Sequence, residues 1–206
     1  MDLENITKKL KDYQGKPLGK YNNFAVLLPL IPTKDGLKIL FEVRSYNLTI
    51  QPGEVCLPGG KVEKGETFLQ AALRETCEEL NISRDNIKVI GELDYLVTPY
   101  DLIIYPYVGY LENIQLEEIK YNEDEVDHLF FMDLDYLLAT DPEIHIVDLR
   151  AKPKKDFPYH LIREGEDYRW RVGKNPVPFF IYKDYIIWGF TARILQNFKE
   201  IISKKL

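Results

Sequence analysis

The chain has 206 residues, 45% of them hydrophobic and 29% charged. These values fit one globular domain with a sizeable core and exclude disordered, collagen-like and coiled-coil classes. Its net charge of −6 disfavours a duplex nucleic-acid partner, which needs a basic field. No apolar run approaches the roughly 20 residues of a membrane helix, so no membrane partner is expected. The first residues, MDLENITKKLKDYQGK, lack an apolar signal core, and a cytoplasmic chain is expected. Two cysteines, Cys56 and Cys77, cannot build a disulfide framework.

Leu3, Ile6 and Leu10 are spaced for a short amphipathic helix over 3–12. Residues 24–30 form an apolar run ended by Pro29-Leu30-Ile31-Pro32. Lys34-Asp35-Gly36 is a turn signal and 37–44 alternates like a strand, so the two runs read as a hairpin. The stretch 46–64, rich in Gly and Pro, reads as loop with short strand pieces. Residues 68–80 carry the clearest helix signal. Thr67 caps it, Gln70 completes a capping box, and Asn81 tolerates the left-handed conformation that ends helices. Leu69, Ala72, Leu73, Thr76 and Leu80 fall on its inner face.

Strands over 87–95 and 102–111, joined through 98–101, precede a strand at 126–132, a short helix at 134–139 and a strand at 143–149. A polar excursion over 151–173 contains a strand at 168–172, and a hairpin over 178–187 turns at Lys183-Asp184. A final amphipathic helix over 189–203 directs Ile194, Leu195, Phe198, Ile201 and Ile202 inward, with Trp188 in the core as its anchor. Helices and strands mix without regular alternation. That pattern indicates an α/β/α or α+β sandwich with a mixed sheet, in a single domain over 1–206.

On the central helix, Glu75, Glu78 and Glu79 stand at i, i+3 and i+4, within a sector of roughly 100° beside the apolar face. Like charges so placed destabilise a helix. A divalent metal explains the crowding, because hard cations take oxygen ligands and leave positions for substrate phosphates. Ala71, one turn earlier, leaves room, and Arg74 can pair with Glu78 at i+4. Three nearby glutamates alone are more often a solvated face. The context changes that balance: GGKVEKGETFLQAALRETCEELNI matches the pattern G-x5-E-x7-R-E-U-x-E-E-x-G-U at Gly60, Glu66, Arg74, Glu75, Glu78, Glu79 and Ile82. Six fixed polar or Gly positions coincide by chance roughly once in 10⁷ placements.

The sequence therefore resembles the Nudix hydrolases, with Asn81 in place of the final Gly of the box and Thr76 at an aliphatic position. The resemblance implies an α/β/α sandwich that cleaves a diphosphate linked to another moiety, with Mg²⁺ or Mn²⁺ held by the box. It implies Glu75 and Glu79 as direct ligands, Glu78 as a ligand or water partner, and Glu66 as orienter of Arg74 or holder of a metal water. Such metals neutralise the diphosphate and lower the pKa of a bound water, while Gly59 and Gly60 permit close backbone approach. The general base is a box glutamate or a distal one. Glu125, before the strand at 126–132, is the distal candidate and Glu123 the second, each weighed against an ordinary acidic turn.

A second resemblance narrows the substrate. Residues 40–60, LFEVRSYNLTIQPGEVCLPGG, follow the signature L-L-T-x-R-[SA]-x3-R-x3-G-x3-F-P-G-G of the CoA pyrophosphatase branch at Leu40, Arg44, Ser45, Gly53, Pro58, Gly59 and Gly60. Val97-Thr98-Pro99, Pro106-Tyr107-Val108-Gly109 and the closing 187–195 segment resemble that branch too. The resemblance implies hydrolysis of CoA or acyl-CoA to 3′,5′-ADP and 4′-phosphopantetheine, with Arg44 and Ser45 on the substrate.

Thr49 replaces the second Arg of the signature and Leu57 its Phe, and the lost Arg removes a guanidinium suited to phosphate. Lys152, Lys154, Lys155, Arg163, Arg169 and Arg171 could supply the missing charge, against the bland reading of a solvated insertion. The alternatives are a pyrophosphatase for ADP-ribose, NADH or another nucleoside diphosphate derivative, or a nucleotide-binding module without catalysis. Tyr95, Tyr100 and Phe179 are candidates for adenine stacking, set against core packing. His128, His145 and His160 lack metal spacing, and neither cysteine has a His partner that would mark a nucleophile. Monomer and homodimer both remain open.

Overall fold

The computed structural model describes residues 2–204. Strands β1 (Asn22–Thr33) and β2 (Gly36–Arg44) form the first hairpin. Short strands β3 (Val55–Cys56) and β4 (Gly59–Lys61) lead into the central helix. After a first helix α1 (Leu3–Leu10), that central helix is α2 (Phe68–Leu80). It is followed by β5 (Ile87–Glu92), β6 (Leu96–Val97), β7 (Leu102–Leu111), β8 (Val126–Asp133) and α3 (Leu134–Ala139). The chain ends with β9 (Glu143–Arg150), β10 (Val172–Tyr182), β11 (Tyr185–Trp188) and α4 (Gly189–Ile202).

The larger sheet runs β3-β2-β1-β7-β5, with β4 added to β1, β6 to β7 and β8 to β2. β1 and β7 are parallel from Asn22↔Leu102 to Leu30↔Tyr110, whereas β2 meets β1, β3 and β8 antiparallel. The sheet is therefore mixed, as expected. β9, β10 and β11 make a second, antiparallel sheet.

Strand alternation divides the core into two layers. Leu27, Ile31 and Leu40 turn to one face and pack with Leu73 and Leu80 of α2. Leu28, Leu30, Ile39, Phe41 and Val43 turn to the other, against Phe180, Ile187, Ile194, Leu195 and Phe198. The result is a helix–sheet–helix sandwich. Each fully buried side chain of this size contributes roughly 1.5–3 kcal/mol.

β1 continues through both prolines that were expected to end it. The reason lies in its partners. The Leu27 N–H is bonded to Pro58 O, so the odd residues of β1 turn their amides to the β4/β2 edge. On that edge β4 pairs at Phe24–Val26 and β2 pairs at Leu30–Thr33. Pro29 falls in the gap between them. Pro32 turns toward β7, beyond the last paired residue, Leu30. Neither proline removes a ladder bond.

Four other expectations change. β5 stops at Glu92 after an irregularity between Val89 and Gly91, and residues 96–97 pair separately with β7. No strand covers 168–171: the excursion holds short 3₁₀ turns at Tyr159–Leu161 and Gly165–Asp167, and pairing with β9 begins at Val172. Ile201 and Ile202 are 38% and 43% exposed, because the last turn of α4 runs past the layer that buries Ile194, Leu195 and Phe198. Trp188 is 43% exposed and stacks on Phe179, with ring centroids 5.8 Å apart, instead of entering the core. α1 forms where its spacing places it, capped by Asp2, and buries no residue. Among the described residues no helix is long and apolar enough to cross a membrane.

Candidate active site

The placement of the glutamates starts with the ends of α2. The Thr67 hydroxyl accepts the Gln70 N–H at 3.2 Å, and the Gln70 side chain accepts the Thr67 N–H at 2.8 Å. Asn81 closes the helix in the left-handed conformation, φ 50°. With both ends fixed, Thr76, Glu79 and Leu80 are buried against the sheet, Glu75 is half-buried and Glu78 is exposed.

Arg74 organises the outer carboxylates. Its guanidinium donates to Glu66 at 2.9 and 3.2 Å, to Glu75 at 2.9 Å, to Glu78 at 3.2 Å and to Lys61 O at 3.3 Å. Glu66 also accepts the Glu63 N–H at 2.6 Å. These bonds raise the Arg74 pKa and lower that of Glu66. Glu66 thus clamps the Arg74 guanidinium through both its oxygens.

Glu79 has a different environment. It is 6% exposed, and its Oε2 accepts the Gly59 N–H at 2.8 Å. Burial, reinforced by Glu75 and Glu125, pushes its pKa up to about 8. Burial also raises Glu75, with Glu78 and Glu125 adding to it and Arg74 opposing it.

The glycines explain how the backbone comes this close. A Cβ on Gly60 would lie 2.3 Å from the Glu75 Cδ, and one on Gly59 would lie 2.4 Å from Ala25 O.

Glu125 is brought to the same place. The turn that carries it is tied to α2 by the Asn122 N–H on Glu79 O, at 2.8 Å. It is tied to the end of β2 by the Ser45 N–H on Glu125 O, also at 2.8 Å. Its carboxylate raises Glu42, Glu75 and Glu79 together. Glu123 is exposed on the same turn.

At the end of β2, Arg44 donates to Ile50 O at 3.3 Å, and its Nε is buried without a partner. Ser45 is 3% exposed, with its hydroxyl accepting the Asn47 N–H at 3.4 Å. The Ser45 side chain thus shapes the turn after β2. Leu57 fills the core.

The six basic residues of the excursion are all exposed. Tyr95 and Tyr100 are 59% and 58% exposed. His128 bridges Asp127 at 2.8 Å and the Tyr185 hydroxyl at 3.1 Å, a structural arrangement.

One residue escaped the sequence reading. Glu42 on β2 is 1% exposed. Its Oε2 lies 3.8 Å from the Cys56 Sγ and its Oε1 has no partner. Burial, then Glu79 and Glu125, push its pKa well above the usual carboxylate range, and burial and Glu42 push up the Cys56 thiol. A signal was available. Ile39-Leu40-Phe41 is apolar on both parities, which marks a strand covered on both faces, so a carboxylate next in line is buried on either side.

Among the described residues no three His, Cys, Asp or Glu side chains converge as a ready metal cage, since Arg74 holds Glu75 and Glu78. The donor set nevertheless fits a hard divalent cation. It consists of carboxylates, two of them, Glu42 and Glu79, buried, and Glu42 Oε1 is an orphaned acceptor.

Comparison with known proteins names the class to which this layered mixed-sheet sandwich and its glycine–helix arrangement belong. The NUDIX domain matches residues 23–158, and the chain belongs to the Nudix family of hydrolases. It is 34% identical over 175 residues to the peroxisomal coenzyme A diphosphatase NUDT7 of Mus musculus, covering 84% of this chain and 67% of that one. It is 28% identical over 181 residues to the mitochondrial coenzyme A diphosphatase NUDT8 of Homo sapiens, covering 87% and 69%. The crystal structure of a MutT/nudix family protein from Enterococcus faecalis superposes with a TM-score of 0.54 at 17% identity, over 99% of this chain and 71% of that one. That likeness concerns the fold alone.

Proposed function

We propose that the chain, acting as a single domain, hydrolyses the diphosphate of CoA or acyl-CoA to 3′,5′-ADP and 4′-phosphopantetheine or its acyl form, with Mg²⁺ or Mn²⁺ as cofactor. The observation that carries this reading is the 34% identity to a coenzyme A diphosphatase across 84% of the chain. The ungapped pre-box register from Leu40 to Gly60 supports it.

Glu75 and Glu79 would hold the cation, with Glu78 as a further ligand or a partner to a bridging water. A bound divalent cation neutralises the diphosphate and acidifies water. Arg74, clamped by Glu66, fixes the direction of Glu75. Gly59 and Gly60 permit close approach of the protein backbone to the substrate, and the Gly59 N–H keeps Glu79 aligned. Glu125 takes the proton from the attacking water. The water oxygen bonds to one phosphorus, the bond from that phosphorus to the bridging oxygen breaks, and the bridging oxygen leaves on the other phosphate. Arg44 supplies positive charge beside the diphosphate.

The test is product analysis. Purified protein with Mg²⁺ or Mn²⁺ is offered CoA, acetyl-CoA, ADP-ribose, NADH and a diadenosine polyphosphate. Preferential release of 3′,5′-ADP from CoA is expected. AMP from ADP-ribose or NADH with CoA untouched would keep the hydrolase chemistry and discard the CoA assignment.

A further inference from the structure

Even-numbered residues of β2 face α2. Leu40 packs there with Leu73 and Leu80, and Glu42 and Arg44 follow on the same face. In the antiparallel pairing of β2 with β3, Glu42 lies opposite Cys56. Cys56 is three residues before Gly59, whose N–H binds Glu79. Glu42 therefore sits under the turn that anchors Glu79. Cys56 Sγ lies 3.8 Å from its Oε2, and Glu79, Arg44 and Glu125 are within electrostatic reach.

One guanidinium thus faces two buried carboxylates, Glu42 at 1% and Glu79 at 6% exposure, and the exposed Glu125. Arg44 stands without a carboxylate bond there, and Glu42 Oε1 has no partner. A buried, unmatched carboxylate is costly. Replacing it with an apolar group of similar size is generally neutral or stabilising. Packing gives no reason for a glutamate at this position, whereas an added positive charge beside Glu79 does.

We propose that Glu42 is a positioning residue of the divalent-cation site, strengthening cation binding through Glu79 from beneath the Gly59 turn. The proposal rests on the cation reading above and lies outside the box. Glu42 needs no direct contact with the cation. A cation bound nearby would favour its ionised form, whose charge acts in a low-dielectric region, and its free Oε1 can hold a group that the cation orders.

The test is Mn²⁺ binding to the full chain without substrate, followed by electron paramagnetic resonance, with thermal melts of the metal-free protein alongside. Glu42→Gln keeps the shape and removes the charge. Its Mn²⁺ dissociation constant is expected to rise roughly tenfold or more, as for residues that support metal ligands. Glu42→Asp keeps the charge and should retain affinity within roughly threefold. Glu42→Leu removes the buried polar group. It is expected to match Glu42→Gln in affinity while melting no lower than wild type, and it carries the decision if Glu42→Gln does not fold.

A purely structural glutamate would change the melt and leave Mn²⁺ affinity alone. Wild-type affinity in either neutral variant, with binding lost in Glu79→Gln, overturns the role of Glu42. Unchanged binding in Glu79→Gln as well overturns the cation site itself.

Discussion

Gly59 and Gly60 are adjacent, yet an added methyl group should damage them in opposite ways. At Gly60 the Cβ would meet only the end of a side chain: Glu75 Cδ at 2.3 Å and its oxygens at 2.4 and 2.6 Å. Gly60 has no positive φ, so alanine fits its backbone, and the stiffer unfolded chain adds about 0.4–1 kcal/mol of stability. Glu75 can swing away, but only by leaving the position where Arg74 holds it. A displacement of about 1 Å in a reacting constellation costs on the order of 10²-fold in rate. At Gly59 the Cβ would meet backbone, Ala25 O at 2.4 Å and Val26 Cα at 2.5 Å, with φ at +149°. Strain of about 1–3 kcal/mol then adds to overpacking of similar size. The expected sum is about 2–6 kcal/mol, a fall in midpoint of roughly 4–24 °C for a domain of this size. Thermal melts and initial rates on CoA with Mg²⁺ measure both effects. Gly60→Ala should melt within a few degrees of wild type and turn over roughly 100-fold more slowly, while Gly59→Ala should melt early. Wild-type turnover by Gly60→Ala, or equal destabilisation of the two variants, refutes the reasoning.

Glu79, with its pKa raised from 4.5 to about 8, is destabilising when charged. Metal-free stability should be highest below about pH 4.5 for this group and fall as pH rises through about 8, by up to about 5 kcal/mol; in metal-free melts Glu79→Gln should lose that slope, and a wild-type slope in the variant argues against it. Arg74→Lys cannot reproduce the fork that joins Glu66, Glu75 and Glu78; kcat should fall roughly 10- to 100-fold with the melt nearly unchanged, and steady-state kinetics with a wild-type kcat would remove Arg74 from the site. Phe41, fully buried and stacked on Phe130 at 5.1 Å, should cost about 3–5 kcal/mol as Phe41→Ala, read as the unfolding free energy in urea.

What the sequence made legible was local. The caps of α2 lie within four residues of the groups they satisfy, and the glutamates share one helix face, so Thr67, Gln70, Asn81 and the box could be read without knowing the sheet. The same holds for Arg74 with Glu78, one turn apart. What stayed hidden depends on strand partners. Pro29 and Pro32 look like the end of β1 until one knows that β4 and β2 share its edge with a gap between them. Trp188 has the composition of a core anchor, yet the second sheet turns it outward onto Phe179. Ile201 and Ile202 continue the apolar period of α4, but nothing in that period tells where the sheet beneath it ends.

Glu42 marks the boundary between the two kinds of information. In 37–44 it reads as the polar member of an alternating strand, facing solvent. That reading assumes one open face. The pairing of β8 along one edge and of β1 and β3 along the other fills both edges, while α2 covers one face and β10, β11 and α4 the other. A charge that alternation assigns to water is thereby carried into the interior beside Glu79. The apolar run before Glu42 signals that it is buried, but what it is buried beside comes from separate segments that only the tertiary structure brings together.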